Sequence, residues 1–182
     1  MPQNLRSFPT CLFLLFLAFF AVLPSQAQAS SGTWNQEGYY DISWYNSSNT
    51  SFSISTASEL AGLSVLAATG NDFTGKTIRL EGNINLTGHF WIPIGMNTTN
   101  DFNGTFLGQG HTITGLVLDT SQLAAGYNSA GLFGYVNTGA VLDSLGVDVS
   151  IQGAGSDGIN IGGLYSGSVV KTKTSTFLNE PI

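Results

Sequence analysis

The chain opens with a block of pure hydrophobicity. Cys11 to Leu23 is an unbroken apolar run that stops at Pro24. With Arg6 before it and Ala27-Gln28-Ala29 after it, residues 1–29 read as a secretory signal peptide cleaved near Ala29. A run of this length spans about 20 Å as a helix, too short for roughly 30 Å of hydrocarbon. Residues 30–56 are polar but carry Trp34, Tyr39, Tyr40, Trp44, Tyr45 and Phe52, and we read them as an aromatic-containing N-terminal cap segment. Next, Thr56-x-x-Glu59 fits a capping box, and Leu60, Leu63 and Leu66 form an apolar stripe. A helix is expected over 57–69, stopped by Gly70.

After Gly70 the period of the pattern changes from helical to two. Ile78, Leu80, Ile84 and Leu86 alternate with polar residues, broken at Gly82-Asn83. Short apolar stretches follow at 91–95, 102–106, 113–118, 132–136, 141–151 and 159–164, each bounded by Gly, Asn, Asp, Thr or Ser. The pattern also repeats. Phe73-x-Gly75 is echoed by Phe102-x-Gly104, and Ile113-x-x-Leu116-x-Leu118 by Leu142-x-x-Leu145-x-Val147, both at an offset of 29. Ala130-Gly131-Leu132 is echoed by Gly162-Gly163-Leu164 at 32. Repeats of short strands and glycine turns favour a stacked solenoid over a sandwich. The expected organisation is a capping helix at 57–69 within β-helix repeats over 57–170, then a polar tail at 171–182.

These residues resemble the GLUG-repeat proteins. The resemblance lies in Trp91-x-Pro93-Ile94-Gly95, the run Phe102-x-Gly104-x-Phe106-x-Gly108-x-Gly110-His111-x-Ile113-x-Gly115-Leu116, and Gly131-Leu132-Phe133-Gly134. It extends to Trp44-Tyr45, Thr56-Ala57-x-Glu59-Leu60-Ala61 and Phe73-x-Gly75-Lys76-x-Ile78-x-Leu80, covering roughly residues 41–165. It implies an all-β, right-handed parallel β-helix in a bacterial secreted or surface protein of adhesin-like type. The pattern departs at Tyr165-Ser166-Gly167. No C-terminal cap is evident beyond that point, so an uncapped or truncated end, prone to end-to-end self-association, is expected.

Composition narrows the function. Charged residues are 9% of the 182 and the net charge is −6. Without a Lys/Arg cluster the chain is a poor nucleic-acid binder. Cleavage of the signal removes Arg6 and Cys11, the one cysteine, leaving no thiol for a disulfide or a zinc site. No cofactor, no metal and no membrane span are expected in the mature chain.

The candidate residues carry competing readings. His111 sits in Gly108-Gln109-Gly110-His111, and the resemblance places it within the repeat consensus, in a turn or ladder role. His89 has no metal-ligand partner at the i+4 position. Asp119 and Asp148 lie 29 apart and would stack if the repeat register held, giving a carboxylate pair for glycoside chemistry. Gly153 to Gly158 resembles half of one calcium-binding nonapeptide. Five Asn-x-Ser/Thr sequons occur, at Asn46, Asn49, Asn85, Asn97 and Asn103. Trp34, Tyr39, Tyr40, Trp44 and Tyr45 could stack on sugar rings or close the N-terminal end. The leading expectation is a secreted, non-catalytic β-solenoid module that binds extracellular glycan or a host or cell-surface protein, or serves as a stalk. The alternatives are a polysaccharide-active enzyme fragment using Asp119, Asp148 and His111, and a truncated remnant without function.

Overall fold

The computed structural model describes residues 31–152 apart from 126 and 128, and the strand backbones at 160–161, 171–172 and 175–178. Residues 1–29, expected to be a signal peptide, the Gly153–Gly158 motif and the 162–164 echo lie outside the described residues.

The described strands pair in parallel throughout, and one α-helix accompanies them. Sheet one joins β1 (Ser51–Ile54), β2 (Thr77–Leu80), β4 (Thr105–Leu107), β7 (Val141–Asp143) and β10 (Lys171–Thr172), in that order. Sheet two joins β3 (Ile84–Asn85), β5 (Thr112–Asp119), β8 (Leu145–Gln152) and β11 (Ser175–Leu178). Sheet three joins β6 (Ser129–Ala130) and β9 (Asn160–Ile161). Isolated bridges at Ile94–Phe133 and Phe102–Val136 add further parallel contacts.

Register explains the alternation. Phe52, Ile78, Phe106 and Leu142 form one buried row across sheet one. Ile84, Ile113 and Val147 form another across sheet two. The intervening positions point outward, as a period of two requires, and most are polar, with Leu107, Val117 and Val141 as half-buried apolar exceptions. Along the outer face of sheet one, Ser53 bonds Glu81 and Arg79 bonds Ser51.

The helix, α1 (Ala57–Ala68), begins as the sequence predicts. Glu59 N–H donates to Thr56 Oγ1 at 3.2 Å, and Thr56 N–H donates to the Glu59 carboxylate at 2.9 Å. It ends one residue earlier than expected. Gly70 N–H donates to Ala67 O and Asn71 N–H to Leu66 O, a Schellman pair with Gly70 at φ +99°. The single apolar stripe is a correction. Residues 60–64 are all buried, because the N-terminal segment crosses the helix on one side. A Cβ at Gly62 would fall 1.9 Å from Asp41 O, so only glycine lets the two backbones meet there. On another side Ser64 Oγ donates to Ile92 O and Pro93 O.

Other expectations are corrected as well. The 30–56 segment is more than a cap, since it contributes β1 to the edge of sheet one. The 141–151 stretch is two strands in two sheets, divided at Ser144, which adopts φ +54°. The segment expected as a polar tail at 171–182 supplies β10 and β11. The offset of 29 between Ile113 and Leu142 is not the stacking register. Ile113 lies opposite Val147, and Leu142 opposite Phe106. Ala130 pairs with Ile161, one residue off the echo read from sequence.

The Phe-x-Gly echo does stack. Phe73 and Phe102 rings lie 5.8 Å apart, and Phe102 continues to Phe133 at 5.1 Å. Phe73 itself sits at φ +60°. A Cβ at Gly104 would come within 2.9 Å of both the Cβ and the O of Phe73, which accounts for the glycine of the second copy.

Candidate functional site

The five aromatics expected as one binding set separate into two groups. Trp44 and Tyr45 join the core. Tyr45 packs on Phe52 at 5.3 Å and on Phe73 at 5.6 Å, and Trp44 meets Phe52 edge-on at 5.4 Å. Their polar ends are satisfied internally: Trp44 Nε1 donates to Asp41 O and Tyr45 OH to Asn71 Oδ1. Lys76 Nζ holds the neighbouring turn by donating to Ser47 O and Asn49 O, above the rings of Tyr45 and Phe52. Tyr40 is half-buried against the same core.

Tyr39 lies elsewhere, and it is joined there by Trp34, which is half-buried against the core. Thr33 bridges Phe90 in parallel, so the chain at 31–34 runs beside 88–90. Two successive turns follow, closed by Gln36 N–H to Thr33 O and Tyr39 N–H to Gln36 O. They bring Tyr39 back over His89, ring on ring at 3.9 Å and 23°. Trp34 meets His89 edge-on at 4.9 Å and donates Nε1 to Leu86 O. His89 Nδ1 lies 2.6 Å from Ser31 O. Tyr39 remains 37% exposed. His89 was not among the expected binding residues. Its partners are some fifty residues distant in the chain, and no local pattern announces them.

A depression of about 190 Å³ opens where the same two segments flank α1. Asn35, Ser64, Val65, Ala68, Thr69, Ile92 and Tyr127 line it. Burial pushes the Tyr127 phenol up to about 12, so it stays neutral at physiological pH.

The residues expected for the enzyme alternative are not assembled as that alternative requires. Asp119 lies opposite Gln152 in the pairing of β5 with β8. Asp148 is four residues back along β8, roughly 13 Å away at the rise of a strand. Glycosidic carboxylate pairs need about 5–10 Å. The displacement comes from the length of the coil: β5 pairs β8 at an offset of 34 before residue 114 and 33 after residue 115, where stacking of Asp119 on Asp148 needs 29, and the bulge recovers only one residue of the difference. Between Ile113 and Leu116 the strand bulges, and Thr114-Gly115 face the single residue Asp148. Asp119 also has a local task, accepting from Ser121 N–H at 2.9 Å as the cap of a short 3₁₀ turn at Thr120–Gln122. His111 closes a tight turn whose central residues, Gln109 and Gly110, have φ +53° and +80°. Its N–H donates to Gly108 O and its O accepts from Gly146 N–H. Among the described residues no cluster of three or more His, Cys, Asp or Glu could hold a metal ion.

Compared with known proteins, the chain matches no family model, no curated protein and no solved structure. Among the described residues no helix is long and apolar enough to cross a membrane.

Proposed function

We propose that this protein is a secreted, non-catalytic module of the GLUG-repeat, adhesin-like kind, whose strands wind as a right-handed parallel β-helix and whose N-terminal flank binds glycan. The observation that carries the reading is the order of the strands. From β4 onward the chain goes from sheet one to sheet two to sheet three and returns to sheet one, and every described pairing is parallel. Parallel crossovers are right-handed in about 98% of cases, which supports the hand. The secretory reading rests on the apolar run at 11–23 and the Ala-x-Ala that follows.

Binding, rather than turnover, is favoured by the separation of Asp119 from Asp148 and by the structural tasks of Asp119 and His111. Glycan is favoured because Tyr39, His89 and Trp34 present aromatic surface on a largely uncharged flank. Sugar rings have apolar faces that such rings cover. The test is a glycan array probed with the secreted full chain and with Tyr39→Ala. Binding that falls with the substitution, without hydrolysis of the bound glycan, supports the reading. Turnover abolished by Asp148→Asn would replace it with the enzyme alternative.

A further inference from the structure

We propose that the free edge of β1 is a docking site for a second copy of this chain, which pairs with it antiparallel across a two-fold axis. The proposal is independent of the glycan reading. Its argument begins with how the N-terminal edges of the sheets are closed. Thr33 bridges Phe90 and Phe90 bridges Val117, so the 31–34 segment covers the sheet-two side. The helix α1 covers another side, where Ser64 Oγ donates to Ile92 O and Pro93 O. β1 pairs with β2 on one side and, among the described residues, with no strand on the other. Ser51 and Ser53 on it are exposed. β1 carries no Lys, no Pro and no bulge in its pairing with β2, the devices that blunt a free edge.

Backbone phase and charge select the occupant. Thr50 O accepts from Thr77 N–H and Ile54 O from Glu81 N–H, so the even-numbered positions bond β2. Ser51 and Ser53 therefore send their N–H and C=O groups to the open edge. With Ser51 opposite Ser53 of the second copy, the strands form two hydrogen-bonded pairs about Phe52, each pair exchanging both of its N–H···O bonds. The outward side chains then match as well. Arg79 Nη1 donates to Ser51 Oγ, and Ser53 Oγ donates to the Glu81 carboxylate. A positive charge thus lies at one end of β1 and a negative charge at the other. Directly opposed side chains across an antiparallel pair lie about 5 Å apart. Each guanidinium therefore comes beside the carboxylate of the other copy. The strand is complementary to itself turned end for end, which points to a second copy rather than a foreign peptide.

The test is sedimentation equilibrium of the secreted full chain. The wild type is expected to form a dimer, weak because the contact is small, whose dissociation constant rises with salt. Ser53→Pro removes an edge N–H that β2 does not use. It should weaken the dimer at least about tenfold, with the far-ultraviolet circular dichroism unchanged. Arg79→Glu and Glu81→Arg each set like charges across the axis and should each weaken it by about tenfold. The double reversal, Arg79→Glu with Glu81→Arg, exchanges the signs of the two ends and should restore the wild-type constant. A monomer at concentrations up to about 1 mM would overturn the proposal. So would a dimer that Ser53→Pro and both single reversals leave intact, or a double reversal that restores nothing. Assembly that grows beyond two copies would place the contact at the C-terminal strands and overturn it too.

Discussion

Two aromatic groups lie within a few residues of each other in sequence and have opposite fates. Trp44 and Tyr45 start a column that runs through Phe52, Phe73, Phe102 and Phe133 into the core. Trp34 and Tyr39 gather around His89 on the flank, and Tyr39 stays open to solvent. Composition does not separate them. What does is the backbone that each group follows. Residues 41–45 cross α1 at Gly62 and lead into β1, so their rings face the interior of sheet one. Residues 31–34 run beside 88–90 and the chain then turns back on itself, which leaves Tyr39 open to solvent while Trp34 is half-buried against the core. Aromatic content therefore marks core packing in one place and a solvent-facing ring cluster in the other.

The difference can be broken from the core side first. Phe73→Ala removes the ring that joins Tyr45 to Phe102 and is expected to cost about 3–5 kcal/mol, read as a lower denaturant midpoint. Gly62→Ala comes next. It forces Asp41 off the helix and should cost about 1–3 kcal/mol, with loss of the near-ultraviolet circular dichroism of Trp44. Thr56→Ala removes one half of the capping box, for about 1 kcal/mol in thermal denaturation.

A smaller effect should follow pH. Burial opposes the charge on Glu59, but hydrogen bonds from Ser55 and Thr56 outweigh it and hold the carboxyl below its ordinary 4.5. A lowered folded-state pKa contributes stability above 4.5 that is lost as pH falls through the folded value. The melting temperature of the wild type should thus drop on acidification below about pH 4.5 more than that of Glu59→Gln, which retains a capping-box side chain. Tyr39→Ala stands at the other end of the scale. It should shift stability by no more than about 0.5 kcal/mol while removing glycan binding, the reverse of Phe73→Ala.

The helix and the parallel strands were legible in the sequence because their signals are local. Thr56 with Glu59 marks a helix start, Gly70 a stop, and the alternation at 78–86 a strand pair. The stacking register was not legible, and the reason is specific. Ile113-x-x-Leu116 and Leu142-x-x-Leu145 look alike, yet the first is a bulge inside β5 and the second a corner at Ser144 between β7 and β8. One spacing has two backbone causes, and aligning them moved Asp119 onto the wrong neighbour. The flank was half legible. Trp34 and Tyr39 stand out by residue type, whereas His89 becomes their partner through chain packing that no short window contains.

The register is also the most direct point of test. Cys11 is the one cysteine of the chain, so with Cys11→Ser in the background introduced pairs can be read without interference. Asp119→Cys combined with Gln152→Cys places two thiols on directly paired positions, about 4.8 Å apart between strands and within disulfide reach. Asp119→Cys combined with Asp148→Cys places them roughly 13 Å apart along the strand. Mild oxidation should close a disulfide in the first double variant and leave the second reduced. Closure in the second and not the first would contradict the parallel register and restore the carboxylate pair as a candidate catalytic site.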